Sequence, residues 1–154
     1  MSNRIALGKT LPNLMKQLVE LSASVNKAAA DAGVDQSLLE LVKIRASQIN
    51  GCAFCLDMHV RDARKAGETE QRIYLLNAWR EVTGVYTEQE RAALALTEAM
   101  TKLPDTQDVP DDVYAEATRV FTEEQYTVTA WAITVINALN RISVTSRNPV
   151  PGTR

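Results

Sequence analysis

The chain is 154 residues long, one domain's worth at about 100–200 residues per domain. Apolar residues make up 45% of it, enough for a core, and 17 Lys and Arg against 19 Asp and Glu leave a net charge of −2. With only 2 Trp, 4 Tyr and 2 Phe there is neither the basic face nor the stacking platform of a nucleic-acid binder, and no run approaches the ~18 apolar residues of a membrane span.

The opening segment, Met1 to Leu7, is too short and too broken for a signal-peptide core, so a cytoplasmic protein is expected. The punctuation is helical throughout. Thr10-Leu-Pro12 offers a cap and an early proline, Leu14, Leu18, Leu21, Val25 and Ala28 then step by three and four, and Gly33 suits the stop. Asp35 or Ser37 caps a second helix with Leu39, Val42, Ala46 and Ile49 on its stripe, broken by Asn50-Gly51. A third helix is predicted from about Cys52 to Ala66, and a fourth from Glu70 to Val82, ending before Gly84.

Thr87 to Glu90 is a capping box that opens a helix running to the Leu103-Pro104 stop. Pro110 to about Val120 reads as a short helix. Thr122 to Gln125 is a second capping box, opening the longest helix, with Phe121 and Tyr126 placed as a hydrophobic staple. That helix carries Val128, Trp131, Val135, Ala138 and Ile142 and ends before Asn148-Pro149. Trp79 and Trp131 sit at apolar helical positions, as core or interface residues. Residues 104–110 and 147–154 read as loop and frayed tail. No segment alternates with period two, and 20 alanines favour helix. The fold expected is all-α, a single-domain bundle of about seven helices over residues 1–154.

The chemistry concentrates in eight positions. The two cysteines, Cys52 and Cys55, and the one histidine, His59, lie in a single stretch. On a helical wheel they fall at about 0°, −60° and −20°, one narrow stripe. Two cysteines three residues apart close no long loop, so the pair reads as redox chemistry or half a metal site. A helix start after Gly51 brings backbone N–H groups and the positive dipole end to the sulfurs, and an imidazole four residues from Cys55 can take its proton. The dipole favours Cys52 as thiolate and the imidazole favours Cys55; direct proton acceptance is the more specific effect. Attack, sulfenic acid and disulfide then form a cycle. Zinc on Cys52, Cys55, His59 and a carboxylate is the rival reading, but the chain has no second Cys/His knuckle. Two small core cysteines and a surface histidine would be the bland alternative.

Glu40, Cys52-Ala-Phe-Cys55 and His59 together give Glu-x11-Cys-x2-Cys-x3-His, which resembles the alkyl hydroperoxidase D core of the carboxymuconolactone decarboxylase superfamily. The stretches from Glu40 to Cys52, Leu56 to His59, Gly67 to Arg72 and Asn137 to Arg141 resemble it too, so the likeness covers about residues 14–144. It implies an all-helical domain acting as a thiol peroxidase of small alkyl hydroperoxides, or as a disulfide reductase or redox sensor. It implies Cys55 as peroxidatic cysteine, Cys52 as resolving cysteine, and Glu40 with His59 as a proton relay. Without the resemblance, Glu40 reads as the end of a Ser37 capping box or a solvated partner of Lys43. Asp57 and Asp62 read as solvated carboxylates. Where the family pattern has a second histidine between the cysteines this chain has Phe54, which shortens the relay. Decarboxylase members lack the cysteine pair, so its presence points away from that branch.

No flavin, haem or nucleotide signature is present in the sequence, so no bound cofactor is expected and the electrons should come from an external lipoyl-like or thioredoxin-like dithiol. The alternative from another class is a non-catalytic helical binding protein. The resemblance also implies a closed homo-oligomer, trimer or hexamer, and the run Ile73, Tyr74, Leu75, Leu76 and Trp79 covers more than one helix face, as a subunit contact would.

Overall fold

The computed structural model describes residues 3–152, so Met1, Ser2, Thr153 and Arg154 lie outside it, with part of the expected tail. Among the described residues there are nine α-helices, one 3-10 turn and no strand, an all-α fold as expected. The helices are α1 (Leu7–Thr10), α2 (Pro12–Asp31), α3 (Gln36–Asn50), α4 (Ala53–Lys65), α5 (Glu70–Tyr74), α6 (Glu88–Thr101), α7 (Leu103–Thr106), α8 (Asp111–Val120) and α9 (Glu123–Ser146). The 3-10 turn is Leu76–Ala78. None is long and apolar enough to cross a membrane.

The local signals explain most boundaries. Asp35 caps α3 by accepting the Ser37 N–H at 3.0 Å, and both capping boxes form, Thr87 with Glu90 and Thr122 with Gln125. Gly51 ends α3 at φ 65°, a left-handed conformation that glycine adopts without a Cβ clash. Phe121 and Tyr126 pack in one core cluster, as a staple requires.

Other boundaries differ from expectation for physical reasons. Pro12 opens α2 at its first turn, but Thr10 does not cap it; Thr10 closes α1, its hydroxyl donating to the Ala6 carbonyl. The expected fourth helix stops at Tyr74. Arg91 donates to the carbonyls of Trp79 and Val82, and Arg72 to that of Val85, so side chains satisfy carbonyls of the irregular segment that follows. Pro104 starts a helical turn instead of only ending one, because a first-turn residue needs no N–H. The segment after α9 is tied down: Asn148 donates to the Ser143 carbonyl and hydroxyl, and Arg61 to the Pro151 carbonyl.

α3 is the central helix, packed against α4, α6 and α9 and buried on nearly every side from Leu38 to Ser47. Leu39 and Val42 join a cluster with Val25, Leu96 and Ile133, whereas Leu41 and Ile44 join another with Leu76, Trp79 and Leu94. Trp79 is core, its indole N–H bonded to Glu98, but Trp131 is 48% exposed. Burial within the chain also accounts for Ile73, Leu76 and Trp79, leaving Tyr74 as the exposed member of that run. The exposed apolar residues gather instead along α1 and α2, among them Leu11, Leu14 and Val19.

Because Leu39 is fully buried between α2, α6 and α9, Leu39→Ala should lower stability by about 2–5 kcal/mol. Leu103→Ala, at an exposed site, should change it by less than about 1 kcal/mol. Urea unfolding of both variants checks this; equal losses would contradict the packing described.

Candidate active site

The two helices that carry the four expected site residues meet at Gly51, and a chain of amides fixes that junction to α9. Asn50 donates to the side-chain oxygens of Asn137 and Asn140, both at 2.9 Å. Asn140, fully buried, donates to the Ser47 hydroxyl at 3.0 Å, and that hydroxyl donates to the Lys43 carbonyl at 2.7 Å. Asn137 in turn donates to Thr101. Every amide in the clamp is satisfied, so it adds specificity without an orphaned polar group. From sequence, Asn50 was only half of a helix breaker, and Asn137 to Arg141 carried no role.

Cys52 is the N-cap of α4 and is joined to Cys55 by a disulfide, with 5.3 Å between their Cα atoms. Cys52 Sγ also accepts the Cys55 backbone N–H at 3.3 Å. Cys52 and Cys55 are only 1% and 2% exposed. In the reduced protein the N-cap contact favours negative charge on Cys52.

Below the disulfide, His59 Nδ1 lies 3.0 Å from Glu40 Oε2, and both residues are buried. A carboxylate can only accept, so Nδ1 carries a proton, and in the neutral ring Nε2 is the nitrogen with the free lone pair. That Nε2 is buried and has no hydrogen-bond partner among the described residues. Buried polar atoms without partners are uncommon, and this one is the group a reacting molecule would meet. The other Glu40 oxygen accepts from Gln36 at 2.9 Å and from Lys43 at 3.3 Å, and Lys43 also donates to Asn26. Burial alone would raise the Glu40 carboxyl. The His59 hydrogen bond and the Lys43 ammonium outweigh it and hold the group below its ordinary value of 4.5.

All four expected residues thus come together. Glu40 does not serve in a capping box, since Asp35 caps α3, and its partner Lys43 is buried, not solvated. The burial of Lys43, and the contacts of Gln36 and Asn26, escape a reading of the sequence. The signal for them was the excess of apolar residues around α3, which marks a helix buried on all sides. Asp57 pairs with Arg61 at 3.0 Å. Asp62 is exposed, yet a carboxylate oxygen of it lies within 4.8 Å of ligand atoms on Glu40 and His59. That trio suits a cation poorly, because the Lys43 ammonium already occupies Glu40.

Two cavities flank the disulfide. One, of about 460 Å³, is lined by Cys55, His59 and Lys43 at its polar end and by Val19, Met58 and Val135 among its apolar walls. The other, of about 390 Å³, is lined by Cys52. Phe54, half-buried between the cysteines, borders both. The arrangement offers a sulfur nucleophile, a base one helical turn away, a second sulfur to close the disulfide, and a largely apolar pocket beside them.

Comparison with known proteins agrees with this reading of the fold. Residues 6–99 match the Carboxymuconolactone decarboxylase family. The uncharacterised protein YdfG of Bacillus subtilis is 43% identical over 148 residues, 96% of this chain and 97% of that protein. A solved structure from Agrobacterium tumefaciens, a protein of unknown function suggested to be the antioxidant defence protein AhpD, matches with a TM-score of 0.86 and 38% identity. It covers 99% of this chain and 100% of that one. The debrominase Bmp8 matches with a TM-score of 0.80 over 95% of this chain and 74% of that one, at 20% identity, a likeness of fold alone. The chain belongs to the carboxymuconolactone decarboxylase family, among its AhpD-like members.

Proposed function

We propose that this chain is a thiol-dependent peroxidase that reduces small organic hydroperoxides through a Cys52–Cys55 dithiol–disulfide cycle. The observation that carries this reading is the Nε2 of His59, unpartnered among the described residues, on a ring held by Glu40 that lines an apolar cavity together with Cys55. His59 Nε2 takes the Cys55 thiol proton. The thiolate attacks the terminal oxygen of the hydroperoxide, the O–O bond breaks, and the leaving alkoxide takes the proton back from His59 as an alcohol. Cys55 is left as sulfenic acid; Cys52 attacks its sulfur, closing the disulfide and releasing water. An external dithiol, lipoyl-like or thioredoxin-like, restores the two thiols, and the cycle needs no bound cofactor. The cytoplasm, where such donors are kept reduced, is the compartment this chemistry requires. The reductase and sensor readings keep the same pair but lack repeated peroxide turnover.

Cys55→Ser should abolish peroxide consumption. Cys52→Ser should oxidise once, to sulfenic acid, and stall. Coupled turnover with dihydrolipoamide and trapping of the sulfenic acid with dimedone check both. Normal turnover by Cys52→Ser would overturn the assignment.

His59→Ala and Glu40→Gln should each slow alkylation of the reactive thiol near pH 7, within the 10²–10⁴-fold that a general base typically contributes. The depressed Glu40 carboxyl also has a signature in stability. Its folded value lies below 4.5, so its contribution is complete above that pH and is lost as pH falls through the folded value. The stability difference between wild type and Glu40→Gln should therefore shrink in acid below pH 4.5. A difference that grows on acidification would contradict the ionised relay.

We also propose self-association, as trimer or hexamer, through the exposed apolar residues of α1 and α2, such as Leu11, Leu14 and Val19. Light scattering should give a mass well above 17.0 kDa at micromolar concentration. A fully active monomer would overturn it.

A further inference from the structure

The Glu40 carboxylate meets a nitrogen group at each of its oxygens, His59 Nδ1 at 3.0 Å from Oε2 and Lys43 Nζ at 3.3 Å from Oε1. The lysine is the less expected of the two. A lysine on a helix ordinarily carries its ammonium out to water along a flexible stem. Lys43 is only 6% exposed, and its ammonium is pinned from the other side by Asn26 Oδ1, on α2, at 3.0 Å. Gln36 donates to the same carboxylate oxygen at 2.9 Å and brings no charge. Hydrogen bonding at that oxygen is therefore met without a cation, and burying an ammonium is costly. What the lysine adds is its charge.

That charge decides how many protons the buried pair holds. Carboxylate and ammonium sum to zero, so burial is balanced with no charge on the imidazole. Without the ammonium, the lone buried carboxylate draws one more proton into the pair. The extra proton has two places to go. On the ring it gives imidazolium, with N–H at both nitrogens. On the carboxyl it makes Glu40 a donor to Nδ1, and the neutral ring must then carry its own proton at Nε2. Nε2 loses its free lone pair either way. We propose that Lys43 is a positioning residue that holds the Glu40–His59 pair to a single proton, on Nδ1, and so keeps Nε2 bare. This rests on His59 as the base of the thiol cycle and assigns the group that keeps it one. The other charges around the ring do not do this. α4 packs against α3 and α9, and the residues of α2 and α9 that border the cavity with His59 are all uncharged. On α4 itself, Asp57 pairs with Arg61 and Cys55 is held in the disulfide. Asp62, close to Glu40 and His59, is exposed, where water screens it.

The chain has one histidine, so its ring nitrogens can be read directly by nuclear magnetic resonance. Oxidised, nitrogen-15-labelled protein is used, so neither sulfur titrates and no peroxide is involved. Two-bond correlations to the ring C–H groups tell Nε2 from Nδ1, and the shift of each nitrogen tells whether it carries a proton. In wild type at pH 7, Nδ1 should be protonated and Nε2 bare. In Lys43→Met, Nε2 should carry a proton at pH 7 and become bare only at higher pH, whereas Lys43→Arg, which keeps the cation, should read as wild type. In a second arm Cys52→Ser leaves Cys55 as the one thiol. Its alkylation at pH 7 should fall about tenfold or more on adding Lys43→Met, the scale of losing one opposite charge beside an ionising group, and recover with Lys43→Arg. A folded Lys43→Met or Lys43→Gln protein whose Nε2 stays bare at pH 7, or a Lys43→Arg protein that behaves as Lys43→Met does, would overturn the role of Lys43 and leave His59 as the base. Wild-type protein with a proton on Nε2 at pH 7 would overturn both readings, and that result needs no variant to fold.

Discussion

A carboxyl and an imidazole taken out of water side by side lose their hydration, and the hydrogen bond between Glu40 Oε2 and His59 Nδ1 is what makes their burial tolerable. That bond joins α3 to α4 across the Gly51 junction. It sets the ring so that Nδ1 is committed and Nε2 is not. Lys43 and Gln36 take the other carboxylate oxygen, so Glu40 has no freedom to turn elsewhere. The pair is therefore fixed in place, with one buried ring nitrogen left without a partner among the described residues.

Holding such a group in place requires a stiff frame, and α3 supplies it. Apolar residues on this helix reach two clusters at once, with Leu39 and Val42 on one side and Leu41 and Ile44 on the other. The amide clamp from Asn50 to Asn140 ties its C-terminal end to α9, so Cys52 starts α4 at a fixed place. Within about two turns of that point lie an N-cap contact that suits a thiolate on Cys52 and an imidazole placed to take a proton from Cys55. The two effects that compete on paper act on different sulfurs. In the proposed cycle the first eases formation of a Cys52 thiolate and the second activates Cys55 as the nucleophile.

Much of this was legible in the sequence because it is local. Asp35, Thr87 and Thr122 cap helices through bonds to residues two or three positions on, and Gly51 marks a stop through its own φ. The spacing of Cys52, Cys55 and His59 sets them near one another without reference to the rest of the fold. What escaped depends on partners far along the chain. The irregular segment after Tyr74 is held by Arg91, on α6, which donates to the Trp79 and Val82 carbonyls, and Asn140 reaches Ser47 across 93 positions. Glu40 stands between these cases. Its i,i+3 relation to Lys43 was visible, but the burial that turns a surface pair into half of a relay was not, and only the family resemblance singled it out.

The likeness to an antioxidant protein and the likeness in fold to a debrominase leave open which electrophile the proposed nucleophile attacks, and the hydroperoxide of our proposal rests on the AhpD-like membership together with the cysteine pair. The most direct measurement is a single turnover without any donor. Fully reduced protein is mixed anaerobically with one equivalent of cumene hydroperoxide, then the free thiols and the alcohol product are counted. The account predicts one cumyl alcohol formed and two thiols lost per chain, within the mixing time of a manual experiment. Two thiols still free and no alcohol would contradict it.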